Sequence, residues 1–202
     1  MNRKHFLAVI LTASIFGLLT DTWATDTETV LYSLGSGVSG RSPRTSLIQD
    51  SAGTFYGTTP EGEISDSPCN SNRGVVFELS PASGGGWTYT TLYSFTGGSD
   101  GSVPFSALVM DVAGNLYGTT SQGGTVNSNC FFGCGTDYEL SPASGGGWSF
   151  STIYNFQGGS DGATPNGGFN FRHGGQLVQH GNIGGTLGGQ YGWGPIYELA
   201  IS

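Results

Sequence analysis

The chain repeats itself every 61 residues. Leu31-Tyr32-Ser33-Leu34 returns as Leu92-Tyr93-Ser94-Phe95 and then as Ile153-Tyr154-Asn155-Phe156. Pro43, Pro104 and Pro165 keep the same step. So do Asp50 and Asp111, Cys69 and Cys130, and Phe77-Glu78-Leu79 and Tyr138-Glu139-Leu140. A fixed period of this size means that each unit is one supersecondary module that buries its apolar face against the next copy. The constraint falls on architecture. A residue that recurs in every unit serves the unit's own geometry, so chemistry must be sought among residues that occur once.

Each unit contains four strand-like stretches separated by turn residues. In the second unit these are residues 106–111, 115–120, 136–140 and 148–156. The last alternates strictly, with Trp148, Phe150, Thr152, Tyr154 and Phe156 on one face. No segment after the amino terminus has a 3.6-residue apolar period, and 37 glycines disfavour helices. Four short strands per repeat, with a tight turn between the first two, is the pattern of a β-propeller blade. The expected fold is therefore all-β, a propeller-like array of three four-stranded antiparallel blades in units of about 30–91, 92–152 and 153–202. The third unit diverges: residues 169–180 match poorly, and residues 181–186 only loosely echo 114–119. Residues 29–34 read as a lone fourth strand. Only the third unit lacks one, so they are expected to pair with it near residues 196–199. Three blades are few for a ring. A homodimer with six blades is one expected resolution, an open arc that stands alone is a second, and a shortened descendant of a longer array is a third.

The recurring combination is Leu92-Tyr93-Ser94-Phe95 before Gly97-Gly98-Ser99-Asp100-Gly101, then Ala113-Gly114-Asn115-Leu116-Tyr117-Gly118-Thr119-Thr120, with Val76-Phe77-Glu78-Leu79-Ser80-Pro81 and Gly84-Gly85-Gly86-Trp87 in the preceding unit. It resembles the bacterial Gloeo-Verruco (GloVer) repeat, well over residues 30–168 and weakly over 169–199. The resemblance implies an extracellular, propeller-like protein. It implies no catalytic residues.

Residues 1–24 read as a signal peptide. Arg3, Lys4 and His5 precede an apolar run over residues 6–19, and Thr22-Trp23-Ala24 supplies a cleavage site. Residues 25–202 then form a single repeat domain, secreted, periplasmic or at the cell surface, with no further segment apolar enough to span a membrane. The formal net charge is −8. Beyond the leader only Arg41, Arg44, Arg73 and Arg172 are basic, and they cannot build the groove that nucleic acid requires.

Cys130 and Cys134 flank a short loop, and in an exported protein they read as a structural disulfide, leaving Cys69 over. A rival pairing, Cys69 with Cys130, would link adjacent units. Three cysteines without a neighbouring histidine do not make a zinc site, and no cofactor is expected. Asp50 and Asp111, like Asp100 and Asp161, recur beside turns and read as turn caps, although the last two have the chemistry to hold Ca²⁺. Among unrepeated residues, Glu61, Glu63 and Asp66 cluster in one loop, and Asp137 replaces Val76 of the first unit. His173 and His180 lie near Arg172 without the spacing of a metalloenzyme or a Ser-His-Asp set. Trp87 and Trp148 recur and read as core, while Trp193 is the aromatic best suited to stack on a sugar. The leading expectation is a non-catalytic module for surface contact, adhesion or scaffolding, with a surface glycan or protein as partner. The alternative is a carbohydrate-binding or polysaccharide-active propeller, a glycosidase or lyase, which needs two carboxylates in one pocket.

Overall fold

The computed structural model describes residues 28–35, 40–62, 73–172, 176–180 and 196–199. The chain divides at residue 30, and all strands lie in the part from residue 31 onward. The described residues contain no helix.

Sheet 1 has the order β1 (Ile48–Gln49), β2 (Phe55–Thr59), β3 (Val75–Pro81) and β4 (Trp87–Ser94). Sheet 2 repeats it with β5 (Val109–Met110), β6 (Leu116–Thr120), β7 (Thr136–Pro142) and β8 (Trp148–Asn155). All neighbours are antiparallel, joined by short hairpins except between β2 and β3 and between β6 and β7, where a longer loop makes the connection. The repeat extends to the irregularities: the register shifts between Val76 and Phe77 in sheet 1 and between Asp137 and Tyr138 in sheet 2. Sheet 3 has three strands, β9 (Phe169–Phe171), β10 (Leu177–His180) and β11 (Ile196–Leu199). Its register repeats too, because Leu177 faces Leu199 as Leu116 faces Leu140.

The sheets bury their apolar faces against one another. Tyr56 and Val76 of sheet 1 and the following Phe95 pack with Leu108, Leu116, Tyr138 and Leu140 from the second unit. A smaller cluster of Tyr117, Phe169 and Leu177 joins sheets 2 and 3. Backbone geometry holds the same junctions. Gly74 and Gly135 have φ of +83° and +89°, and a Cβ there would lie 2.4 Å and 2.6 Å from Pro104 and Pro165 of the next unit. The residues before the repeated prolines, Ser42, Val103 and Thr164, also take the left-handed conformation, at φ of 57°, 58° and 54°. Such strain persists where bonding over-determines the backbone. Val103 donates its N–H to the Arg73 carbonyl and accepts from the Ser121 N–H.

Two expectations are corrected. The all-β architecture is present, but the described sheets hold four, four and three strands, and no strand joins sheet 3 to sheet 1 among the described residues. Residues 31–34 form no strand with the third unit. Instead Tyr32 stacks on Tyr89 of sheet 1, with ring centroids 5.0 Å apart at 14°, as Tyr93 stacks on Phe150 of sheet 2 at 3.9 Å and 7°. The segment keeps its tandem role: it covers the unit that follows it, where aromatic burial is available locally. The second strand of sheet 3 is 177–180, one period after β6, and residues 181–186, which loosely echo 114–119, lie outside the described residues.

Candidate contact groove between the first two sheets

The repeated aspartates define turns. Asp50 Oδ1 accepts from the N–H groups of Ala52 and Thr54, both at 2.9 Å, and Oδ2 accepts from the Tyr56 hydroxyl at 3.1 Å. Asp111 repeats this with Ala113, Asn115 and Tyr117, and adds the Asn115 amide at 2.8 Å. Burial opposes the charge on Asp111, but the hydrogen bonds from Asn115, Tyr117 and Ala113 outweigh it and hold the carboxyl below its ordinary range. Tyr56 is pushed up to about 12, by burial first and then by the charge of Asp50. Asp100 accepts from the Thr96 N–H and hydroxyl, the Gly98 N–H and the Tyr93 hydroxyl. Asp161 does the same for Gln157, Gly159 and Tyr154. These four carboxylates organise turns. No group of three or more His, Cys, Asp or Glu gathers as a metal site among the described residues.

The Asp50 and Asp111 turns form the two lips of an open groove of about 670 Å³. Its walls include Gln49, Tyr56, Met110 and Trp148. Trp148 meets Tyr56 edge to face at 5.9 Å and is half-buried. Val112 projects from the second lip into solvent. Such a groove offers a ring face, apolar contact and the polar atoms of two rigid turns. The expectation that Trp148 belongs to the core is thus corrected in part. It packs against the core cluster but also lines an accessible surface. Its strand alternation is identical for either role, and the groove exists only because the neighbouring unit's turn lies opposite.

The unrepeated candidates are scattered. Glu61 lies beside Arg41 in an isolated antiparallel bridge, whereas Glu63, Asp66, Cys69, His173 and Trp193 lie outside the described residues. His180 is on β10 opposite Ile196. Arg172 makes an exposed ion pair with Glu198 at 3.3 Å. Asp137 does not face solvent. It is 1% exposed, and neither carboxylate oxygen has a hydrogen-bond partner. Burial pushes its carboxyl up to about 8, which the nearby Gln179 amide offsets only in part. Gln179 is itself buried with both amide atoms unpartnered, at the position that Gly57 and Gly118 hold in the other units.

Cys130 and Cys134 form the expected disulfide. The loop between them presents Phe131 and Phe132 to solvent, 82% and 72% exposed, as an edge-to-face pair. The sequence reading missed this knob. Two adjacent phenylalanines in a disulfide loop of four residues' span cannot both turn inward, and that spacing was the available signal.

No curated protein and no solved structure matches the chain. A family model described as the Gloeobacter/Verrucomicrobia repeat matches residues 14–188, covering the first two units and much of the third. The chain belongs to the Gloeobacter/Verrucomicrobia repeat family.

Proposed function

We propose that the protein is an exported, propeller-like repeat module that acts by surface contact, in adhesion or scaffolding, and not by catalysis. The tandem sheets are its blades. The observation that carries the reading is the commitment of the groove's carboxylates: Asp50 and Asp111 spend their oxygens on their own turns. A glycosidase or lyase needs a close acid/base pair, and what the groove presents instead is Trp148, Met110 and Val112 on a rigid frame. Export is supported by the basic-then-apolar leader before residue 25 and by the disulfide, which persists in oxidising compartments.

A surface glycan is the second reading, favoured by the half-buried Trp148 between polar turns. A glycan array probed with the purified chain, with and without Ca²⁺, tests it. Binding should fall by about tenfold in Trp148→Ala, the loss of one stacking contact of about 1.4 kcal/mol. If no glycan binds, the contact reading stands with a protein partner. Release of reducing ends or unsaturated products from a polysaccharide by the wild-type chain would overturn the non-catalytic reading.

A further inference from the structure

We propose that residues 31–34 of one copy and the β11 edge of a second copy are the two halves of one junction, so that each copy's amino-terminal segment completes the other's third sheet. The inference is independent of the groove.

The junction between sheets 1 and 2 shows what a complete seam contains. There the last strand of one sheet lays Tyr93 on Phe150, and Phe150 also stacks with Tyr138 at 5.7 Å and 25°. The outer face of sheet 1 carries the same set one period earlier. Tyr32 lies on Tyr89, and Tyr89 stacks with Phe77 at 5.3 Å and 23°. Tyr32 and Leu34 therefore occupy the place of a fourth strand, and no described strand pairs with them. What the rest of such a sheet would fill is an apolar cavity of about 320 Å³, lined by Tyr32, Leu34, Pro43, Leu47, Phe77 and Tyr89 among others. Of these, Tyr32 and Leu47 keep 41% and 44% of their surface exposed. Sheet 3 has the converse deficit: β10 pairs with one side of β11, and no described strand pairs with the other.

These deficits match in detail. Tyr93 is the cross-strand partner of Val76, and Tyr154 of Asp137. By the same register Tyr32 of one copy would face Ile196 of the other. A bare strand edge beside an apolar face is a template for association, and residues 31–34 repeat the fourth-strand sequence. Two copies joined head to tail at both ends satisfy every seam and give a closed pair with two-fold symmetry.

The test combines mass with a local readout. Sedimentation at micromolar concentration should give a dimer that tightens with added salt, because each copy carries −8 and the junction is apolar. Hydrogen exchange should show the amides of 196–199 protected. The double variant Tyr32→Ala/Leu34→Asp should be a folded monomer in which those amides exchange about tenfold faster or more, although they lie at the opposite end of the chain. Tyr32→Phe, which keeps the ring, should remain a dimer and control for folding. A monodisperse wild-type monomer overturns the proposal. So does a dimer whose β11 protection is indifferent to the double variant.

Discussion

Asp137 shows how one side chain changes a junction. Val76, its counterpart, is buried in the apolar seam between sheets 1 and 2. Asp137 brings a carboxyl to the equivalent strand position with no hydrogen-bond partner, so ionisation is opposed by burial. Its folded pKa, about 8, lies above that of an exposed aspartate. Between about pH 4 and 8 the folded chain holds a proton that the unfolded chain releases. Stability is therefore full below about pH 4 with respect to this group, and is lost as pH rises through 8. Asp137→Val should flatten that dependence and raise stability at pH 9 by about 3 kcal/mol, the order of a buried unpaired charge; denaturant melts at several pH values measure it. The neighbouring Tyr154 also titrates high, through burial first and then Asp161, so its ionisation lies above this window. Asp111 has the opposite sign. Its pKa is depressed, so its contribution is present above pH 4 and is lost as pH falls through the folded value. Asp111→Ala should lower stability at pH 7 by about 2 kcal/mol, because four donors lose their acceptor.

Turns and loops carry much of the specification of these sheets. Ser42 is exposed at φ 57°, a conformation that favours glycine. Ser42→Gly should raise stability by about 0.5–1 kcal/mol, whereas Ser42→Ala should not, and thermal melts of the two separate strain from side-chain loss. The disulfide loop braces the third unit. Asn127 and Asn129 donate to the carbonyls of Gln157 and Gly158, and a Cβ at Gly158 would lie 2.4 Å from the Cys130 sulfur. Replacing both cysteines by serine should lower stability by about 2 kcal/mol, as a short closed loop allows. Hydrogen exchange should quicken first in residues 157–163, which pack on the bridge, and leave sheet 1 unchanged.

Across the assembly of sheets, the tandem rule explains both agreement and correction. Strand types and their 61-residue spacing were legible because alternation and turn chemistry are local. The strand at 177–180 was not, because Gln179 and His180 erase the Gly-Thr signature while the backbone keeps the period. The place of residues 31–34 was not legible either. Their sequence says fourth strand in any context, and only packing says which sheet they cover. A ring-closing strand and a tandem cover are equivalent as strings of residues but bury different faces.

The sequence alone therefore establishes the period, the antiparallel sheets and the turn-capping aspartates, which follow from interactions within one unit, and the structure decides between the two cysteine pairings in favour of Cys130–Cys134. The structure adds what arises between units. It turns Asp137 inward, puts Trp148 on a groove wall and lays Tyr32 on sheet 1. Burial is a property of neighbours, and in a repeat chain the neighbours of a residue lie about one period away, beyond the reach of local pattern.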